Sequence, residues 1–167
     1  MNYSAEQKEY FETLIEPQIL TKLPLYDTFC ELMEMCRTDY ADMPAISDMK
    51  DTITYGQLYD RIACRRTFLY EQGFKKGDII AVLAPNSMYS MELYMAIPTA
   101  GCTVIMLPAA EKAITADTLA KLIEKFDIKG LFINPEYEEV AKGQNTKVYD
   151  IHATALTPSD VADVDKD

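Results

Sequence analysis

Three short apolar runs, separated by segments with helical periodicity, constrain the fold of this chain more than any other feature. Residues 79–84 read IIAVLA, residues 103–107 read TVIML, and residues 131–134 read LFIN. Runs of this length are typical of strands, and strands without polar alternation are buried on both faces. Because they alternate with helical segments, the sequence predicts an α/β fold with three layers, in which a mostly parallel sheet has helices on both faces.

Hydroxyl residues mark where the helices are expected to begin. The predicted caps are Ser4, Thr28, Thr54, Ser87 (or its neighbour Asn86) and Thr115. Three of these caps have a Glu or Gln three residues later, which is the capping-box pattern. The helix after Thr54 is long, and Gly73 is its expected carboxyl cap. Pro98 is expected to kink or end the helix that follows Ser87.

Smaller elements complete the predicted fold. The segments AIS and TIT flank a polar turn at residues 48–51 and predict a β-hairpin. Residues 147–151 predict a fourth strand of the sheet. Residues 4–16 predict a separate amphipathic helix, whose apolar side either covers a core or faces a membrane or partner. We expect it to cover a core.

The formal net charge of −11 makes some partners unfavourable. Phosphate-rich surfaces repel such a chain, so neither a nucleic acid nor an anionic membrane is expected as a partner. Residues 160–167 (DVADVDKD) predict a solvated acidic tail. No apolar run approaches the roughly 20 residues that a membrane span needs, so no span is predicted.

The cysteines and the single histidine do not predict a metal site. None of the four cysteines forms a C-x-x-C pair, and His152 is the only histidine available to complete a zinc site. Cys64 and Cys102 lie in apolar stretches and are expected to be small buried side chains. Since no signal peptide is recognisable, a reducing, cytoplasmic location is expected.

The turns after the predicted strands do not have the pattern of a phosphate-binding loop. They read Pro85-Asn86-Ser87, Pro108-Ala109-Ala110 and Asn134-Pro135-Glu136, without a glycine. Glycines at such turns allow backbone N–H groups to approach phosphates, and proline has no N–H to donate. Ser87 or Asn86 is instead suited to cap the next helix. We interpret these turns as scaffold.

The remaining residues that could react or bind a ligand are interpreted as structural or solvated side chains. Cys102 is expected to be a buried thiol, and His152 a surface or capping residue. The pairs Arg65-Arg66 and Lys75-Lys76 are interpreted as solvated charged faces. The methionines of the helix after Ser87 are interpreted as core; they are Met88, Met91 and Met95. The sequence therefore assigns no catalytic, cofactor-binding or metal-binding residue to this chain.

Several short motifs nevertheless occur in a characteristic order. Residues 54–58 (TYGQL) open the long helix, residues 73–78 (GFKKGD) lead into the first buried strand, Pro85-Asn86-Ser87 follow it, and Ala100-Gly101 precede the second strand. In this order and spacing they resemble the amino-terminal region of AMP-forming adenylating enzymes. That superfamily includes acyl- and aryl-CoA synthetases, adenylation domains of peptide synthetases, and luciferases. The resemblance covers about residues 24–152.

The resemblance implies a parent enzyme that activates a carboxylic acid as acyl-AMP and transfers it to CoA. ATP, Mg and CoA would be the cofactors of that parent. In the family, a loop rich in Ser, Thr and Gly holds the ATP phosphates and follows an acidic stretch, which DVADVDKD resembles. No catalytic residue of the family can be assigned to a position of this chain. The resemblance therefore implies a catalytically incompetent scaffold fragment.

The implied organisation has three parts. A helical extension at residues 1–23 precedes an α/β subdomain at 24–152, and an acidic tail at 153–167 leads to the missing loop. The extension resembles those of some acyl-CoA synthetases, which favours acid–CoA ligation, as in fatty acid metabolism, over peptide-synthetase adenylation. The expected partners are the remainder of the ligase and a second copy, bound through an exposed subdomain interface. The alternatives are a free-standing interaction module and an independent nucleotide-binding domain.

Overall fold

Six strands and five α-helices form the part of the chain that the computed structural model describes, residues 29–48, 51–109 and 114–158. In chain order they are α1 (Phe29–Asp39), β1 (Pro44–Ser47), β2 (Thr52–Thr54), α2 (Tyr55–Glu71), β3 (Ile79–Leu83), α3 (Met88–Thr99), β4 (Thr103–Leu107), α4 (Ala116–Phe126), β5 (Ile128–Ile133), a 3-10 turn (Pro135–Tyr137), α5 (Glu138–Ala141) and β6 (Lys147–Asp150). The predicted helix at residues 4–16 and the predicted cap Thr28 lie outside the described residues.

Four strands form one parallel sheet in the order β4-β3-β5-β6. β3 is central and pairs with β4 on one side and β5 on the other, so that Ile80 lies between Val104 and Gly130. β1 and β2 form a separate antiparallel hairpin. The predicted α/β class, parallel sheet and hairpin are therefore confirmed.

Alternate residues of β3 supply two cores on opposite faces of the sheet. Ile80 and Val82 pack with residues of α2 and α3. Ala81 and Leu83 pack with residues of α4 on the other face. Helices therefore cover both faces, as the unbroken apolar pattern of this strand predicted.

The predicted caps of α2 are both present. The Thr54 hydroxyl accepts a hydrogen bond from the backbone N–H of Gln57, whose side chain accepts one from the N–H of Thr54. At the other end, Gly73 has a φ of +83°. The N–H of Gly73 bonds to the carbonyl of Tyr70 and that of Phe74 bonds to the carbonyl of Leu69, which is a Schellman motif.

The hairpin closes a third core. The buried residues of this core are Met33, Ile53, Leu58, Ile62, Met88 and Ala96, from α1, β2, α2 and α3. Phe29 and Leu32, two other apolar residues of α1, are 40% and 37% exposed. In α1, only Met33 is buried.

Several predicted bounds and burials differ from the structure. α3 continues through Pro98 to Thr99. The carbonyl four residues earlier, which loses its usual N–H partner, belongs to Tyr94, a residue that is 48% exposed. β5 begins three residues before the predicted strand. Cys64, which was expected to be buried, is half-buried, and Met91 is exposed rather than core.

Candidate functional site

In this fold a ligand site is expected at the carboxyl edge of the parallel sheet. In open α/β sheets, ligands bind outside the carboxyl ends of the strands. Here that edge consists of the turns that follow β3, β4 and β5, and of the segment that follows β6. The predicted turns Pro85-Asn86-Ser87 and Asn134-Pro135-Glu136 lie there.

The amino terminus of α3 uses its own side chains to satisfy backbone donors. The N–H of Ser90 donates to the Ser87 hydroxyl at 3.2 Å, and the N–H of Ser87 donates to the Ser90 hydroxyl at 2.8 Å. Ser90 is only 1% exposed and Ser87 is half-buried, so this reciprocal pair is largely shielded from solvent. Ser87 is thus the cap, as one of the two predicted alternatives had it. A phosphate approaching this helix would have to displace the pair.

Internal contacts also involve the described residues of the other two turns. Thr115 caps α4, where its hydroxyl accepts from the N–H of Thr118 at 3.2 Å. After β5, the 3-10 turn begins at Pro135, which has no N–H to donate to a ligand. The hydroxyl of Tyr137 donates to the carbonyl of Ala109 at 2.6 Å and so joins the turns after β4 and β5. The described residues of these turns are therefore held in place by internal hydrogen bonds.

Arg65 is buried, and the interpretation of this side chain from the sequence was wrong. It was expected on a solvated face, but it is 3% exposed. Its Nη2 lies 2.9 Å and its Nε 3.2 Å from Oε2 of Glu92. Its Nη1 donates to the carbonyls of Ile151 and Ala153. Because the guanidinium donates to protein acceptors on three of its nitrogens, it holds the segment after β6 against α2 and α3 and is not a phosphate ligand.

Glu92 was not singled out from the sequence, although it is the counterpart of two arginines. Its Oε1 lies 3.0 Å from Nη1 of Arg61, and its side chain is 3% exposed. Helical spacing could have indicated that Arg65 is buried, because it lies on the same side of α2 as Leu58, Ile62 and Leu69. Glu92 is also the single charged residue within a long apolar stretch.

Asp150 and His152 form an exposed pair at the carboxyl end of β6. The backbone N–H and the Nδ1 of His152 lie 2.7 and 2.6 Å from Oδ1 of Asp150. The backbone hydrogen bond from His152 is the main cause that holds the pKa of Asp150 below its usual range. The imidazole lies against the ring of Tyr89, with centroids 4.4 Å apart. His152 is therefore a surface residue, as predicted.

Cys102 is a buried thiol and not an activated nucleophile. Burial is the main cause that raises its pKa to about 11. Its Sγ donates to the carbonyl of Lys75 at 3.3 Å. Since the thiolate is the nucleophilic form, this group is inert at neutral pH.

Residues 29–48, 51–109 and 114–158 contain few other features that could bind a ligand. Within these ranges, no group of three His, Cys, Asp or Glu side chains could hold a metal ion. Lys75 and Lys76 are exposed, as predicted. A shallow polar depression lies beside Asp127 and Asn145, at the amino ends of β5 and β6 and thus opposite the edge where ligands are expected. No helix in the described part of the chain is long and apolar enough to cross a bilayer.

Comparison with known proteins gives a consistent family. The family model described as AMP-binding enzyme matches residues 34–167. A long-chain-fatty-acid–CoA ligase of Salmonella typhimurium is 27% identical over 143 residues, which cover 74% of this chain and 26% of that protein. A peroxisomal benzoate–CoA ligase of Arabidopsis thaliana is 27% identical over 115 residues, covering 69% of this chain and 19% of that protein. The chain thus spans about a quarter or less of the length of these relatives.

Solved structures share the fold. The adenylation–carrier protein NpsA-ThdA of Klebsiella oxytoca matches with a TM-score of 0.69 and 15% identity, over 78% of this chain and 25% of that one. The amino-terminal domain of FACL13 from Mycobacterium tuberculosis matches with a TM-score of 0.68 and 16% identity, over 81% of this chain and 38% of that one. The matched region thus has the architecture of the amino-terminal subdomain of adenylate-forming ligases.

Proposed function

Because this chain belongs to the AMP-binding enzyme family, we propose that it is part of an AMP-forming acid–CoA ligase in which it supplies scaffold and no reacting group. The parent reaction joins a carboxylate oxygen to the α-phosphorus of ATP with release of pyrophosphate. The resulting acyl-AMP then passes its acyl group to the thiol of CoA, with release of AMP. ATP, Mg and CoA are assigned to the parent and not to residues of this chain.

One observation carries the proposal that the chain itself is inactive: the amino termini of α3 and α4 at the carboxyl edge of the sheet are capped by their own side chains. Ser87, Ser90 and Thr115 accept or share the backbone donors that a phosphate would need. Adenylation also needs positive charge near the reacting phosphorus. The buried guanidinium nearest to this edge, that of Arg65, is neutralised by Glu92. The residues described at this edge do not fit a bound nucleotide.

The acceptor of the acyl group is proposed from the curated relatives. The Salmonella typhimurium and Arabidopsis thaliana relatives are both named as CoA ligases, one for a long-chain fatty acid and one for benzoate. The fold is shared equally by an adenylation domain fused to a carrier protein, so the fold does not discriminate. We favour CoA as the acceptor and a fatty or aryl acid as the substrate. A peptide-synthetase adenylation domain is the alternative.

The organisation, partners and location expected from the sequence remain part of this proposal. The extension is assigned to residues 1–23, the α/β subdomain to 24–152, and the acidic tail to 153–167. The partners are the remainder of the ligase and a second copy of this chain. A cytoplasmic location suits the four cysteines, all of which are free thiols.

Exchange of labelled pyrophosphate into ATP tests the proposed lack of activity. We expect the 167-residue chain to give no exchange above the buffer level with palmitate, octanoate or benzoate, and to give no heat of binding when titrated with ATP. A full-length acid–CoA ligase of the family, assayed in parallel, shows that the assay works. Exchange that depends on the chain and on an added acid would contradict the proposal, and micromolar ATP binding without exchange would favour an independent nucleotide-binding domain.

A further inference from the structure

The strap, residues 151–155, connects the end of β6 to the middle of α2. Its first residue, Ile151, is 1% exposed and belongs to the core on the α2–α3 side of the sheet. The N–H of Ile151 donates to the carbonyl of Ile133 in β5 at 2.8 Å. The N–H of Ala155 donates to the carbonyl of Cys64 in α2 at 3.4 Å. The strap therefore has a defined path from the edge of the sheet onto α2.

A tight turn within the strap directs two of its carbonyls to Arg65. The N–H of Ala153 donates to the carbonyl of Asp150 at 2.9 Å, and the N–H of His152 donates to Oδ1 of Asp150 at 2.7 Å. With the backbone turned in this way, the carbonyls of Ile151 and Ala153 accept from the same nitrogen, Nη1 of Arg65. Backbone carbonyls away from water need a donor, and Arg65 supplies it for both.

Glu92 fixes the other side of the guanidinium. Nε and Nη2 of Arg65 lie 3.2 and 2.9 Å from Oε2 of Glu92. A guanidinium is planar and holds its donors in a rigid fork, so two nitrogens bound to one carboxylate also fix the direction of the third. Glu92 belongs to α3 and Arg65 to α2. One side chain thus fastens the strap to both helices.

A second side-chain contact of the strap lies at the surface. The ring of His152 packs against that of Tyr89, in the first turn of α3, with centroids 4.4 Å apart. Tyr89 is 41% exposed and the His152 side chain is 51% exposed. Hydrogen bonds from a buried charged donor are stronger than an exposed ring contact of this kind. Arg65 is therefore the main fastening of the strap, and the two rings report on the position of the strap.

We propose that Arg65 is a positioning residue of the parent ligase. By fastening the strap, it sets the place at which the following polypeptide begins, at the carboxyl edge of the sheet, where ligands bind in open α/β folds. Arg65 acts through the strap backbone and contacts no reacting group. This role rests on the proposed function, because only a longer ligase has polypeptide to position.

The position of the strap matters because polypeptide of the same family follows it. The AMP-binding enzyme model matches residues 34–167 and so extends beyond the strap. In the proposed parent, the groups that grip the nucleotide lie outside this chain. A displacement of about 1 Å can lower a reaction rate by about a hundredfold. A strap that is free to move would pass such displacements on to the polypeptide that follows.

Arg65→Lys separates the fork from the charge. Lysine keeps a positive charge beside Glu92, but its single nitrogen cannot occupy the positions of both Nη1 and Nη2. Arg61→Lys is the matched control, because Arg61 lies on the same helix and its Nη1 is 3.0 Å from the same carboxylate. The hydrogen bonds of Arg61 go to Glu92 and Met88 and not to the strap.

Nuclear magnetic resonance of the 167-residue chain measures the strap directly. We expect Arg65→Lys to speed exchange of the Ala153 amide by at least about tenfold relative to the amides of β5, because the strap loses hydrogen bonds to a charged donor. His152 is the single histidine, so its ring protons give one identifiable signal. That signal should shift as the ring moves away from Tyr89. Arg61→Lys should change neither measurement.

Pyrophosphate exchange by the parent measures the positioning role. The parent is produced as the gene product that contains residues 1–167 and the remainder of the ligase, and it is supplied with palmitate, octanoate or benzoate. We expect Arg65→Lys to lower the exchange rate at saturating ATP by at least about tenfold, at a temperature where circular dichroism shows that both proteins are fully folded. Arg61→Lys should exchange at the wild-type rate.

The outcomes separate this role from the proposed function. A strap that is unchanged in Arg65→Lys overturns the positioning role, and so does a displaced strap in a parent that still exchanges at the wild-type rate. A wild-type parent without exchange contradicts the proposed function itself. If Arg65→Lys does not fold, Arg65→Met with Glu92→Leu replaces it, because that pair leaves neither a buried charge nor a donor for the strap. The same losses are expected.

Discussion

Nη2 of Arg65 and Oε2 of Glu92 lie 2.9 Å apart, and each side chain is 3% exposed. This buried ion pair joins α2 to α3, and Arg65 adds hydrogen bonds to the carbonyls of Ile151 and Ala153. Three segments that are distant in sequence therefore meet at one guanidinium. A buried pair of this kind contributes mainly through the cost of breaking it, because one partner alone leaves an uncompensated charge.

We expect Glu92→Leu to lower the free energy of unfolding by about 3–5 kcal/mol, because it leaves Arg65 charged and buried. Urea denaturation followed by circular dichroism measures the change. Arg65→Met with Glu92→Leu should cost much less than the single variant, since no buried charge then remains. Asp117→Asn breaks an exposed pair with Lys121 and serves as the control, with an expected loss of at most about 1 kcal/mol. Equal losses in the single and double variants would contradict this account.

Gly73→Ala should destabilise the protein by about 1–2 kcal/mol, because residue 73 has a φ of +83° and a Cβ is disfavoured in that conformation. A Cβ would meet no atom within 4 Å, so a steric clash does not contribute. Thermal and urea unfolding measure the loss. The neighbouring Gln72→Ala, at a φ of −78°, is the control and should change stability by no more than about 0.5 kcal/mol.

Gly130→Ala should also be destabilising, but for a different reason. A Cβ at residue 130 would overlap the ring of Phe74, which is buried in the core on the α2–α3 side of the sheet. We expect a loss of about 1–3 kcal/mol from overpacking. Adding Phe74→Leu should make the effect of Gly130→Ala smaller than it is in the wild type, which a double-mutant cycle would show as coupling. Additive losses would mean that this contact is not the cause.

Stability should fall as the pH rises above about 9 towards 11, because the buried Cys102 has its pKa raised from 9.0 to about 11. Below the unfolded pKa both states hold the proton and the full contribution is present. Above it, the unfolded state loses the proton first and is favoured. Cys102→Ala should reduce the slope of unfolding free energy against pH in this window. Burial also raises the pKa of Tyr149, so a residual slope of the same sign is expected.

Local patterns predicted much of this fold correctly. The caps at Thr54, Ser87 and Thr115 and the glycine at residue 73 depend on hydrogen bonds between residues at most five positions apart, which a sequence displays directly. The alternation of apolar runs with helices predicted the parallel sheet, because a strand without polar alternation must be covered on both faces.

Contacts between distant residues explain the errors. The sequence shows Arg65 beside Arg66 and so indicates a charged face. Its actual partners, Glu92 and the carbonyls of Ile151 and Ala153, lie 27 to 88 positions away. Similarly, TVIML predicts a strand that is buried on both faces. Only the strand order places it at an edge of the described sheet, with Met106 37% exposed.

The sequence by itself determined the helix starts at Thr54, Ser87 and Thr115, the cap at Gly73, the α/β class and the absence of glycines at the strand–helix turns. Each of these is written in residues close together along the chain, as is the family resemblance. The tertiary structure alone decided which charge is buried, which strand lies at an edge, and that the hydroxyl of Tyr137 joins the turns after β4 and β5 by donating to the carbonyl of Ala109. These depend on strand order and on how the helices pack across the sheet, and burial and pairing follow from such three-dimensional neighbours rather than from residue type.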